Sequence, residues 1–465
     1  MTDTNWQPDL AQFPGPKYLA LSRALRAAVR DGILLAGTRL PTVRDLAWRL
    51  DITPGTVSRA YQLATQEGLL QATVGRGTFV AATAPKLGPT QPLFVERPER
   101  LGVVDLRSPS LPHLGQGAAI RAAMHRVTDA FEDDYVDYPT QTDEAELRDA
   151  VVDWVSDRQM GPVDADDVAL TFGGQAAINL VLGCCLRGDR PVVLCEDLAY
   201  PGFRHAARLS RAETVGVELD QHGLRPDALE AACRRHKAQI LCITTEAQNP
   251  TAARMPESRR SEVALIARAY DLQVIEDDCY SVPDSATPMI RAHVPERTWH
   301  IGSLSKSVSA ALRFGYVICP QGMGNAGRLT AQHYSFALPR PMAELCLDLF
   351  RSGVATDLRR RVQAEFSDRL AMVVEALDGQ DLRWQPGLPF VWLRLPSGWR
   401  ASTFTRMAEA EGILMRSADE YVLIHGHAPN AVRLAIGGAV PRERLRAALA
   451  QLRQMLLDPP SEIAI

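Results

Sequence analysis

No apolar run in the 465-residue chain approaches the roughly 20 residues that a membrane-spanning helix needs. The opening stretch MTDTNWQPDLAQFPGP has neither a basic start nor an apolar core, so no secretory leader is expected and the cytoplasm is the expected location. There is no CxxC pair, and none of the eight cysteines precedes position 184. Several stand in strand-like apolar runs such as PVVLCED and QILCITT, which points to buried reduced thiols and away from disulfides or a metal site. Internal repeats and low-complexity tracts are missing too, which excludes solenoids and disordered scaffolds. Net charge is slight, −4 in total, but it is uneven. Residues 1–82 hold nine Lys/Arg against six Asp/Glu, a balance of +3 that leaves −7 for residues 83–465. A small basic module on an acidic body suits a DNA-binding appendage, since phosphate contacts need local cations only.

The length implies several domains. Leu21, Leu25, Ala28 and Val29 recur at helical spacing in a first segment, 17–35. Thr42 is placed to cap a second helix carrying Val43, Leu46, Ala47 and Leu50 on one face. Thr53 can cap a third, with Pro54 at its first position and Val57, Tyr61 and Ala64 inward. Thr56, Ser58, Arg59 and Gln62 then face outward, and Gly68 closes the helix. LLQATVGRGTFVA reads as two short strands about a tight turn at Gly75-Arg76-Gly77. Three helices and a hairpin make a winged helix-turn-helix over residues 1–81. Residues 82–102, with four prolines and no periodicity, read as a linker.

From 103 to 465 helical stretches alternate with the apolar runs VALTF, PVVLCED, QILCITT, LQVIEDD and GYVIC. That alternation predicts an α/β fold with a parallel sheet covered on both faces. The stretches FVWLRL and AVRLAIGG close the chain with a smaller α+β subdomain.

The string GTRLPTVRDLAWRLDITPGTVSRAYQLATQEGLLQATVGRGTFV resembles the GntR-type winged helix over its whole length. A recognition helix must carry short polar groups and an arginine into a major groove, and Thr53, Thr56, Ser58 and Arg59 supply that face. The resemblance adds Arg44, at the start of the preceding helix. Arg76 at the wing tip is suited to phosphates or the minor groove. The implied partner is a double-stranded DNA operator.

In HIGSLSKSVSAALRFGYVI, a lysine flanked by small hydroxyl residues precedes an arginine by seven positions. This resembles the pyridoxal 5′-phosphate (PLP) lysine motif of fold-type I aminotransferases. The resemblance makes Lys306 the Schiff-base residue, with Ser303, Ser305 and Arg313 beside the phosphate. In LTFGGQAAINLVL a strand, a glycine turn and a helix start bring the backbone amides of Gly174 and Gln175 to the same phosphate. VIEDDCY sets acidic residues at a strand's carboxyl end. Asp277 is the partner chosen for the pyridine nitrogen, with Asp278 its rival, and Tyr280 is assigned to the phenolic oxygen. Asn249 matches the Asn-Pro-Thr asparagine that contacts that oxygen. Tyr200 can stack on the ring, and Arg433 matches the arginine that takes a substrate or effector carboxylate, with Arg204 and Arg416 as weaker candidates. Departures are Ala252 for a usual glycine, and Leu198 and Ala310 for common prolines.

A GntR-type head fused to an aminotransferase-like domain is similar to the MocR subfamily of regulators. That resemblance implies a homodimer, with Tyr138 reaching a neighbour's phosphate, and DNA binding modulated by PLP or by an amine or amino acid that reacts with it. Two alternatives stand beside it. One is a working aminotransferase with an accessory head, and the other is an aminotransferase-like shell that has lost the cofactor.

Overall fold

The computed structural model describes residues 6–13, 15–67, 69–73, 77–81, 102–130, 135–283, 286–423 and 428–459. The chain divides into two units, Met1–Pro92 and Leu93–Ile465.

The first unit holds helices α1 (Lys17–Arg30), α2 (Val43–Arg49) and α3 (Pro54–Gln66). Both expected caps form: the Thr42 hydroxyl accepts the Asp45 amide, and the Thr53 hydroxyl accepts the Thr56 amide, each at 3.2 Å. Each satisfies a donor that the helix start would otherwise leave open. Leu21, Leu25, Leu46, Val57, Ala60 and Ala64 are sealed in one core. The first helix stops at Arg30 and does not run on to residue 35. Gly32 takes the left-handed conformation (φ 74°) just past its end, and the Leu34 amide turns back to the Ala28 carbonyl at 3.0 Å. Strands β1 (Leu70–Thr73) and β2 (Gly77–Val80) pair antiparallel, with Leu70 opposite Val80. Gly68, the wing tip with Arg76, and the linker up to residue 101 lie outside the described residues.

The second unit is built on a seven-stranded sheet: β3 (Val168–Thr171), β4 (Val192–Glu196), β5 (Glu213–Val217), β6 (Ala238–Ile243), β7 (Gln273–Asp277), β8 (Thr298–Ser303) and β9 (Gly315–Ile318). Their spatial order is β3-β9-β8-β7-β6-β4-β5. The sheet is parallel except for β9, which runs antiparallel to both neighbours, β8 and β3. Burial on both faces explains the unbroken apolar runs. Val193, Cys195, Ile240, Cys242 and Ile275 pack towards α4 (Gly174–Cys185) and α5 (Pro201–Leu209). The alternating Leu194, Leu241, Ile243 and Val274 pack towards α6 (Pro226–Arg235) and α7 (Glu257–Ala269).

The carboxyl-terminal part is α+β, as expected. Strands β10 (Asp381–Arg383), β11 (Phe390–Arg394), β12 (Arg416–Ser417) and β13 (Ala431–Ala435) form an antiparallel sheet in the order β10-β11-β13-β12. Val391, Leu393, Val432 and Leu434 share a core with helices α8 (Val354–Ala376), α9 (Ala401–Ala410) and α10 (Arg442–Leu457). All eight cysteines are free thiols, five buried and three half-buried. Among the described residues no helix is long and apolar enough to cross a membrane, and no group of side chains is arranged to hold a metal ion.

Candidate cofactor site and nucleic-acid interface

The cofactor-site candidates gather at the carboxyl ends of the central strands, where loops leave an α/β sheet and polar groups converge. Lys306 ends a short 3-10 turn directly after β8, half-buried, with its Nζ 3.3 Å from the Pro109 carbonyl. Burial, and behind it the positive charge of Arg433, pushes its ammonium down to about 8; the Cys279 thiol opposes this. A neutral amine is therefore accessible at ordinary pH, which a lysine that must attack a carbonyl requires.

Beside it lies an anion cradle. Ser303 caps the 3-10 turn, its hydroxyl 2.9 Å from that of Ser305 and 3.1 Å from the Phe314 carbonyl. Arg313, in the left-handed conformation (φ 49°), points Nη1 at the Ser305 hydroxyl (3.5 Å) and donates through Nη2 to the Phe172 carbonyl (2.9 Å). Helix α4 begins at Gly174 with no side-chain cap, so its first amides are left open, and Gly173 just ahead of it lies against Arg313. The two glycines are dictated by space. A Cβ on Gly173 would stand 2.7 Å from the Arg313 fork, and one on Gly174 would stand 2.6 Å from the Cys279 sulfur. Gln175 sends its side chain away to the Gly202 carbonyl (3.2 Å), leaving its amide at the helix start. A helix N-terminus, two hydroxyls and a guanidinium fit a phosphate dianion.

The two acidic rivals are separated by their neighbours. Asp278 is buried against Arg158, its carboxylate 3.3 Å from Nε. Burial still raises Asp278 to about 6, with Arg158 pulling the other way. Asp277 accepts the Cys279 amide at 3.0 Å and forms no ion pair among the described residues. Burial raises it as well, with the Cys279 hydrogen bond opposing. Of the two, Asp277 is the one without a cationic partner among the described residues. Tyr200 caps α5, its half-buried ring edge-on to Phe203 at 5.9 Å, and its hydroxyl is raised by burial and by Asp277. Tyr280 packs edge-on to Phe390 at 5.2 Å. Arg433, on β13, donates to the Asn249 side-chain oxygen and to the Arg107 carbonyl, both at 2.7 Å. Its Nε and the buried Tyr421 hydroxyl have no hydrogen-bond partner among the described residues. Of the two weaker arginine candidates, Arg204 is occupied with the carbonyls of Val422 (2.8 Å) and Glu420 (3.0 Å). Arg416 stands beside Arg433 and pairs with Glu420 at 2.7 Å. Sequence reading missed Arg158, Arg107, Cys279 and Tyr421; only Cys279 lies inside a recognised motif.

In the first unit, Arg44, Thr53, Ser58 and Arg59 are exposed, and Thr56 is half-buried, its hydroxyl 2.9 Å from that of Thr53. The Arg59 guanidinium lies 4.2 Å from the ring centre of Tyr18, so it is held over α1 and does not project freely. The Tyr61 hydroxyl donates to the Pro41 carbonyl at 2.9 Å, tying α3 to the turn ahead of α2. Arg39, unremarked in the sequence, lies against β2, where a Cβ on Gly77 would come within 3.1 Å of its Nε.

Comparison with known proteins agrees with this division. Residues 102–452 match the family model for aminotransferase class I and II, and residues 17–80 match that for bacterial regulatory proteins of the gntR family. The chain is 28% identical over 457 residues to YdeF of Bacillus subtilis, an uncharacterized HTH-type transcriptional regulator, covering 98% of this chain and 97% of that protein. It is 28% identical over 309 residues to the HTH-type pyridoxine biosynthesis transcriptional regulator PdxR of Corynebacterium glutamicum, 64% of this chain and 65% of that one. It is 27% identical over 452 residues to the HTH-type transcriptional regulator TauR of Rhodobacter capsulatus, 85% and 88% of the two chains. Among solved structures, the multiple substrate aminotransferase of Thermococcus profundus has the same fold (TM-score 0.68, 20% identity, 77% of this chain and 92% of that one). The chain accordingly belongs to the aminotransferase class I and II family, whose cofactor is pyridoxal 5′-phosphate, and with its gntR-type head it has the two-part plan of the MocR regulators.

Proposed function

We propose that this chain is a transcription regulator whose gntR-type head binds a double-stranded DNA operator under the control of a PLP-bearing domain. The observation that carries the reading is a set of cofactor-pocket groups, from lysine to anion cradle to Asp277, in one chain with a capped helix of the DNA-reading type. When bound, PLP supplies an aldehyde that condenses with amines and a ring that withdraws electrons. Lys306 would hold it covalently. The amides of Gly174 and Gln175, with Ser303, Ser305 and Arg313, would bind the phosphate. Asp277 would keep a proton on the ring nitrogen, Tyr200 would cover one ring face, and Asn249 and Tyr280 would meet the phenolic oxygen. Arg433 would orient the carboxylate of an incoming amino acid.

The regulatory step is a coupled equilibrium: PLP, or an amine that reacts with it, binds one arrangement of a homodimer better than another and so alters DNA engagement. The linker at 82–102 would transmit that difference. Support for a second copy comes from Tyr138 and Phe336, which are 74% and 64% exposed yet stacked at 5.0 Å. The DNA face would comprise Arg44, Thr53, Thr56, Ser58 and Arg59, with Arg76 from the wing. A cytoplasmic location follows from this reading.

The test is a footprint on the DNA upstream of the chain's own gene, with and without PLP, for the wild type and Lys306→Ala. The wild type should show a near-ultraviolet or visible band and a PLP-dependent change in affinity, contacts or bending; the variant should show neither. No PLP-dependent change in the wild type sinks the regulatory reading. Sustained transamination at the ~10 per second typical of enzymes would favour a working aminotransferase instead.

A further inference from the structure

Arg416 and Arg433 face each other across an antiparallel pair, Arg416 on β12 directly opposite Arg433 on β13. Side chains so placed share one face of the sheet, and like charges in that position repel. Both are largely removed from water: the Arg416 side chain is 15% exposed, and Arg433 is 4% exposed. Arg433 has only neutral partners, the Asn249 side-chain oxygen and the Arg107 carbonyl. The Nε of Arg416 shares that same carbonyl at 3.2 Å. Arg204 approaches from α5, and it too bonds only carbonyls. Among the described residues, Glu420 is the one carboxylate serving these three guanidiniums, through Arg416. One carboxylate is thus shared among three cations, at a place that reaches the cofactor pocket: the Tyr200 hydroxyl feels Arg416 as well as Asp277 and Arg313. The Arg433 guanidinium lies 5.0 Å from the ring centre of the buried Tyr421, whose hydroxyl has no hydrogen-bond partner among the described residues.

A single ligand carboxylate would answer Arg433 and still leave Arg416 and Arg204 with Glu420 alone. We propose that the effector carries two acidic groups, one received by Arg433 and the other by Arg416, with Tyr421 as a further donor. The ligand class is an amino-dicarboxylate or an amine with the same charge pattern. This rests on the reading of Lys306 and Arg433 as two ends of one ligand cavity. Glu420, whose side chain is 44% exposed, holds Arg416 until the ligand's distal acid takes its place.

Calorimetry on the full PLP-loaded chain, with its absorption band followed in parallel, compares L-glutamate with L-norvaline, which has the same chain length and no distal acid. Wild type should bind glutamate about tenfold or more tightly than norvaline, as a charge-assisted pair allows. Arg416→Gln should bring the ratio close to one, and Arg416→Lys should keep part of it. Should Arg416→Gln fail to fold by circular dichroism, Glu420→Gln provides the complementary arm, since freeing Arg416 should raise the ratio above wild type. Equal affinities in the wild type, or a preference that survives Arg416→Gln or falls in Glu420→Gln, overturns the proposal while leaving the cofactor reading intact. If neither amino acid binds or moves the band, the ligand-cavity reading fails and takes this proposal with it.

Discussion

Lys306 is one of four lysines in the chain, the others being Lys17, Lys86 and Lys237, so a reductively trapped adduct maps to a residue without ambiguity. Its neutral form is the nucleophile, and the neutral fraction grows as pH rises. With the ammonium lowered to about 8 by burial and Arg433, PLP capture by the cofactor-free protein should accelerate through pH 8 and level off above it. Stopped-flow absorbance reads this; a midpoint near that of an ordinary lysine would mean that the pocket does not tune the group. The neighbouring acids make an opposed pair of predictions. Asp278→Asn leaves the buried Arg158 with only the exposed Asp157, 3.8 Å away, and should cost ~3 kcal/mol of stability in urea unfolding. Asp277→Asn breaks no ion pair, so it should leave the urea midpoint nearly unchanged while weakening PLP retention on dialysis. The choice of Asp277 rests on its spacing to Tyr280. The reason Asp278 is spoken for was not legible in the sequence, because Arg158 lies 120 positions away.

At the scale of elements, what could be read locally was read well. Helix caps act within three residues, so Thr42 and Thr53 announced α2 and α3. Strands buried on both faces must be apolar throughout, so β4 and β6 stood out. Strand β8 (TWHIGS) is also wholly buried, yet its His300, Gly302 and Ser303 hide it from any apolar count. The reversed direction of β9 has no local signal at all, because direction is decided by partners far along the chain. The Asn-Pro-Thr turn shows how a departure from the family is accommodated. Ala252 sits buried at φ 56°, a conformation costing a non-glycine residue ~1–2 kcal/mol. Ala252→Gly relieves that strain but forfeits a buried methyl worth ~0.8 kcal/mol and gives the unfolded chain more freedom. Its unfolding free energy should therefore stay within about 1 kcal/mol of wild type. Ala252→Val, branched at the strained position, should lose more than ~2 kcal/mol, and comparable urea midpoints for the two variants would refute the account.

For the whole molecule, both folds were legible because each carries a motif set in chain order: cap-helix-wing in the first unit, and glycine turn, Asn-Pro-Thr, acidic strand end and lysine in the second. The assembly was less so. Surface apolar residues leave no periodic trace, and the stacked Tyr138 and Phe336 become a feature only when the fold joins segments nearly 200 positions apart. If that pair lies between two copies, Tyr138→Ser with Phe336→Ser should lower the sedimentation coefficient towards that of one chain and weaken operator binding, while each chain stays folded. A double variant that sediments as wild type does removes this face from the interface. Charge predicts a further global property: with +3 in residues 1–82, operator affinity should fall steeply as salt rises.

The contacts of Arg204 extend further than their two hydrogen bonds. With the Ala199 amide on the Tyr421 carbonyl (3.1 Å) and Leu198 bridged to Val422, they form a clasp between the start of α5 and the segment ahead of β13. Any swing of the carboxyl-terminal subdomain over the cofactor must then pivot at this clasp, and a ligand must approach from the opposite lip. Deuterium uptake should be slow at Ala199 with or without an effector, and should change on the far side alone.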